Sequence, residues 1–111
     1  MNALDTSSLI PSGYLIRIVR MDFRPEALPT FLALFQEKKS LIAAFPGCLH
    51  VELREDPQVG TIRSTLSVWT GPEALESYRH SDLFKDTWAQ TKPLFQQPPQ
   101  AFSLLPEANH G

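Results

Sequence analysis

Cysteine is nearly absent: Cys48 is the only one in 111 residues. No internal disulfide can form, which fits a reducing compartment. Charge of one sign is also scarce. Ten basic and 12 acidic residues leave a net charge of −2, and no basic run or stripe faces a phosphate backbone. Nucleic acid is therefore not expected as a partner. No apolar run is long enough to span a bilayer, so no membrane association is expected. Glycine is limited to 5 residues, and none belongs to a phosphate loop or a dinucleotide fingerprint. Three histidines and Cys48 show no metal-ligand spacing, so the expectation is no metal and no cofactor. Residues 1–13 lack the charged and apolar regions of a signal peptide and read as an extension. The expected location is the cytoplasm.

What remains is the composition of one ordinary globular domain, 42% hydrophobic and 20% charged. Tyr14 to Asp22 is rich in apolar and β-branched residues and reads as a strand. Leu15, Arg17, Val19 and Met21 share one face, and Ile16, Ile18 and Arg20 the other. Arg24 to Phe45 reads as a helix, with Pro25 or Pro29 in its first turn. Its apolar stripe is Leu28, Phe31, Leu32, Phe35, Ile42 and Phe45. Pro46-Gly47 stops it. Cys48 to Glu55 alternates Leu49, Val51 and Leu53 against His50, Glu52 and Arg54, as a strand does. A turn at Asp56, Pro57 and Gly60 leads into a third strand, Thr61 to Trp69. Thr70 and Glu73 have the spacing of a capping box before a short helix through Tyr78. Ser81 suits the cap of the next helix, which carries Phe84, Trp88 and Phe95 and ends or kinks at Pro93. Ala101 to Leu105 is the fourth strand, and residues 106–111 form a polar tail.

The order β, α, β, β, α, β predicts an α+β, ferredoxin-like domain over residues 14–105, with a four-stranded antiparallel sheet and its helices on one face. Apolar residues on both faces of the first strand then call for a second cover. Sheet-on-sheet pairing into a homodimer supplies one.

Several segments carry a resemblance. Phe45-Pro46-Gly47-Cys48 follows the first helix, Val68-Trp69 closes the hairpin, and Glu73-Ala74-Leu75 and Ser81-Asp82-Leu83-Phe84-Lys85 follow. In these the chain resembles the antibiotic biosynthesis monooxygenase superfamily of dimeric α+β barrels. The resemblance implies a dimer, and it covers cofactor-independent oxygenases of aromatic polyketides or quinols, heme-degrading enzymes, an isomerase-type signal-processing branch and members of unknown role. The heme-degrading branch uses an Asn on the first strand, a Trp on the helix after the third, and a His beyond it. The matching positions hold Val19, Tyr78 and Trp88, and an indole is a donor that cannot ligate iron. Quinol-oxidising members often carry His where this chain has Tyr78 and Leu83; His80 is offset by two residues.

Two residues stand out as catalytic candidates. Arg17 sits in an apolar strand and must find an anion or acceptors, either a bound phenolate, enolate or carboxylate or a salt bridge such as Glu52 of a second subunit. His50 has the residue type of a general base for a hydroxylated aromatic, or is an ordinary strand histidine. Trp69, Tyr78 and Trp88 are candidates for the walls of an aromatic substrate cavity, or for core packing. His80 is the fourth candidate for substrate contact, or a solvated residue near a helix end. Cys48 reads as a small buried apolar residue. The function expected is a cofactor-independent monooxygenase of a small aromatic or quinol-like molecule. The alternative is a dimeric module that binds such a molecule without turnover.

Overall fold

A computed structural model describes residues 13–107. Most of the extension expected over 1–13, and the end of the tail expected over 106–111, lie outside the described residues. The elements are β1 (Leu15–Asp22), a 3-10 turn at Pro25–Ala27, α1 (Leu28–Ala43), β2 (Cys48–Glu55), β3 (Ile62–Trp69), α2 (Pro72–Arg79), α3 (Asp82–Thr91), a 3-10 turn at Lys92–Leu94 and β4 (Gln100–Leu104). The sheet order is β2-β3-β1-β4, antiparallel throughout. This is the α+β ferredoxin-like fold that the alternation of patterns predicts.

β1 lies between β3 and β4, so both of its edges are hydrogen-bonded. Its odd-numbered residues face the helices: Leu15 and Met21 join Phe31, Phe35 and Ile42 of α1 in the core. Ile16, Ile18 and Arg20 face away. Register places Ile16 between Val68 and Leu104, and Ile18 between Leu66 and Phe102. That far face is thus an apolar stripe crossing three strands, and among the described residues no helix covers it.

Both prolines proposed for the start of the first helix are used. Pro25 opens the 3-10 turn, and Pro29 sits in the first turn of α1. The buried stripe of α1 is Phe31, Leu34, Phe35 and Ile42; Leu32, expected inside, is exposed. A step of one residue turns about 100° around a helix, so Leu32 leaves the face that Phe31 occupies while Leu34 returns to it. In β2, a bulge between Cys48 and His50 puts Leu49 outside the ladder, and it too is exposed.

The capping box does not form. Gly71, fully extended, is the N-cap of α2, and no side chain caps the helix. Pro72 at the first helical position explains this, because its ring forces the preceding residue into extended backbone. Thr70 instead donates its N–H to the Gly47 carbonyl at 2.9 Å. The expected Ser81 cap does form: its Oγ accepts from Phe84 N–H at 3.1 Å and donates to the Tyr78 carbonyl at 2.6 Å. At the β2–β3 turn, Asp56 Oδ2 accepts from the N–H groups of Gln58 and Val59 at 2.9 and 2.7 Å. These bonds favour the carboxylate and hold the Asp56 pKa below its usual range.

Candidate active site

The helices do not fill all the space above the sheet. A cavity of about 340 Å³ remains, bounded below by β1, β2, β3 and β4 and above by all three helices. That volume lies within the range of small-molecule sites. Aromatic rings are prominent in its walls. Phe45, Trp69, Tyr78, Phe84, Trp88, Phe95, Phe23, Phe31 and Phe35 form one continuous chain of ring contacts, with centroids 4.2 to 6.4 Å apart. Six of these rings line the cavity: Phe31, Phe35, Trp69, Tyr78, Phe84 and Trp88.

Trp69 is both core and wall. It is 1% exposed, and its indole N–H donates to Ser67 Oγ at 2.9 Å, so burial leaves no donor unpaired. Tyr78 stacks on Trp69 with centroids 5.0 Å apart and meets Phe45 and Phe84 edge-on. Burial, aided by Cys48, pushes its phenol up to about 12, so it is a neutral hydroxyl at ordinary pH. Trp88 stacks on Phe84 from one turn further along α3. Cys48 itself is half-buried beside this cluster, and burial raises its thiol pKa.

The polar side of the cavity carries two guanidinium groups. Arg17 projects from the middle of β1, half-buried, and its Nη1 donates to Ser103 Oγ on β4 at 2.8 Å. Burial lowers its pKa, and the Arg79 charge lowers it further. Arg79 enters from the last turn of α2. Thr65 and Ser67 add hydroxyls from β3. Among the lining residues there is no imidazole, ammonium or carboxylate.

The sequence candidates therefore separate. Arg17, Trp69, Tyr78 and Trp88 surround one cavity. His50 does not join them. It pairs with Val68 on the far face of the sheet, one pleat out of phase with Val51, which lines the cavity. There its Nε2 sits 2.6 Å from Glu52, whose other oxygen meets Arg54. Arg54 first, and then His50, hold the Glu52 carboxyl below the usual carboxylate range. A base at His50 and a clamp at Arg17 thus stand on opposite faces of one sheet. Glu52, weighed as a partner for Arg17, is also on the far face. His80 is exposed at the end of α2, with Nε2 3.5 Å from Glu76, and does not line the cavity. Arg79, Thr65 and Ser67 were not legible as site residues. A basic residue in the last turn of a helix reads as a partner for the helix dipole, and small hydroxyls in a strand read as ordinary sheet residues.

The cavity, with aromatic rings in its walls and basic groups on one side, lies between the antiparallel sheet and the helices of an α+β, ferredoxin-like fold. The chain belongs to the antibiotic biosynthesis monooxygenase family, whose model matches residues 15–90. A conserved protein from Methanosarcina mazei Go1 superposes with a TM-score of 0.82 at 15% identity, over 86% of this chain and 94% of its own. Rv0793 from Mycobacterium tuberculosis does so at 0.79 and 23% identity, over 89% and 100%. PA3566 from Pseudomonas aeruginosa gives 0.76 and 20% identity, over 87% and 97%. Identities at this level speak to the fold alone. No curated protein matches the chain.

Proposed function

We propose that this protein is a cofactor-independent monooxygenase of a small hydroxylated aromatic, working as a homodimer. The observation that carries the reading is the ring-walled cavity with Arg17 on its polar side. Flat apolar walls suit a flat substrate, and a half-buried guanidinium favours the ionised form of a hydroxyl placed against it. No lining residue is an ordinary general base, so this stabilisation, with the proton leaving to water, is the route to the anion. The electron-rich ring then reduces oxygen directly. For a naphthol-type substrate, one oxygen atom becomes the new carbonyl of a naphthoquinone and the other leaves as water. The two hydrogens of that water are the hydroxyl proton and the ring hydrogen. The cavity offers no imidazole or thiolate to a heme iron, which weighs against the heme-degrading branch.

Oxygen uptake by the purified protein over a panel of quinols and naphthols tests the reading. Consumption above background should fall by about tenfold or more in Arg17→Gln, the loss of one charge-assisted contact. No consumption with any member of the panel sinks it. The absence of a base from the lining favours one rival, a binding module that holds such a molecule unchanged. That rival predicts saturable binding without turnover.

A further inference from the structure

Arg79 holds a position that helix chemistry does not explain by itself. A cation in the last turn of α2 complements the helix dipole wherever it points. This one lines the same cavity as Arg17. We infer that Arg17 and Arg79 together form a clamp for a carboxylate, so that the ligand is an aromatic acid whose rings lie against the tryptophan and tyrosine walls. The inference rests on the reading of the cavity as a ligand site and adds the charge and chemical class of the ligand.

Three observations carry it. The first is donor supply. A guanidinium has five N–H donors. Among the described residues Arg17 spends one donor group on Ser103, and Arg79 makes a single long contact to Glu76 at 3.5 Å. The second is charge balance. Two cations face the cavity, and the nearby carboxylate is Glu76, which also contacts His80 at 3.5 Å. Like charges brought together over apolar walls are unfavourable until an anion joins them; the Arg17 pKa is lowered first by burial and then by the Arg79 charge. The third is the missing base. With no imidazole or carboxylate in the lining, a ligand carboxylate needs no base to form it and meets no like charge in the cavity wall. A carboxylate also presents two oxygens to two planar forks, whereas a phenolate presents one.

Titration calorimetry with 2-naphthoate and its neutral isostere 2-naphthamide tests this on the full chain. Naphthoate should bind at least about tenfold more tightly, the worth of one or two charge-assisted hydrogen bonds. In Arg79→Gln, an exposed helix position that does not threaten the fold, naphthoate should lose about fivefold or more while naphthamide stays within about twofold. Equal binding of the two probes, or an unchanged ratio in Arg79→Gln, overturns the clamp and leaves the cavity reading standing. Binding of neither removes both. Tighter binding of 4-nitrophenolate than of naphthoate overturns the carboxylate assignment in favour of a phenolate.

Discussion

Tyr78 shows how much one residue can carry. Its ring sits between Trp69, Phe45 and Phe84, and among the described residues its hydroxyl has no hydrogen-bond partner. The folded state therefore favours the neutral phenol, with a pKa pushed up to about 12. The unfolded value is about 10. A raised pKa means that the stabilisation is full below the unfolded value and is lost as pH climbs through the folded one. Stability should thus decline between about pH 10 and 12, by roughly 2–3 kcal/mol in total. Tyr14→Phe leaves Tyr78 as the sole tyrosine, so its ionisation can be followed by ultraviolet absorbance. Denaturant midpoints over the same range should fall as the tyrosinate band rises. Titration near pH 10 with no loss of stability would mean that the hydroxyl is solvated.

The elements are locked together at the loop after α1. Gly47 has φ of +88°, a left-handed conformation that a side chain adopts at a cost of about 1–2 kcal/mol. A Cβ built there would lie 2.4 Å from Ala74 Cβ, far inside contact distance. The glycine therefore lets the loop press against α2, while Phe45 packs edge-on against Trp69 and Tyr78. Three segments that carry the family resemblance, Phe45–Cys48, Trp69 and Glu73–Leu75, meet at this one junction. Gly47→Ala should cost more than the backbone penalty alone, about 3 kcal/mol. Combining it with Ala74→Gly should recover part of that loss, as contacting sites do. Urea unfolding of the four chains of this cycle measures both. Additive losses would show that the two residues are not in contact. Because the same junction holds Trp69 and Tyr78, Gly47→Ala should also weaken ligand binding.

At the scale of the molecule, the far face of the sheet is the surface without a helix among the described residues. Ile16, Ile18, Leu66, Phe102 and Leu104 present a continuous apolar surface, with Phe102 and Leu104 each 48% exposed. A charged border of His50, Glu52 and Arg54 runs along β2. An apolar centre with a polar rim is the anatomy of a protein interface. The proposed occupant is a second copy, as the family resemblance implies. The parity of β1 sharpens the test. Ile18→Lys should convert the dimer to a monomer in light scattering. Val19→Lys, one residue on but facing the cavity, should leave the dimer and abolish ligand binding. Dimers that survive Ile18→Lys would show that the copies meet elsewhere.

The sequence by itself determined the elements and their order, because those depend on local quantities. Alternation gave β2 to the residue, Ser81 declared its cap, and Phe31, Phe35 and Ile42 marked the inner side of α1. It also determined which residue types could surround an aromatic molecule. Tertiary structure alone decided which of them meet. Arg17 and His50 both lie on well-marked strands, yet the pleat phase across β1, β3 and β2 sends them to opposite faces. That phase is set by interstrand hydrogen bonds and by a bulge, neither of which leaves a trace in either strand's own pattern. Arg79 is the converse case: an unremarkable helix-end cation lines the cavity only because α2 is docked, through Gly47 and Ala74, with its last turn over it.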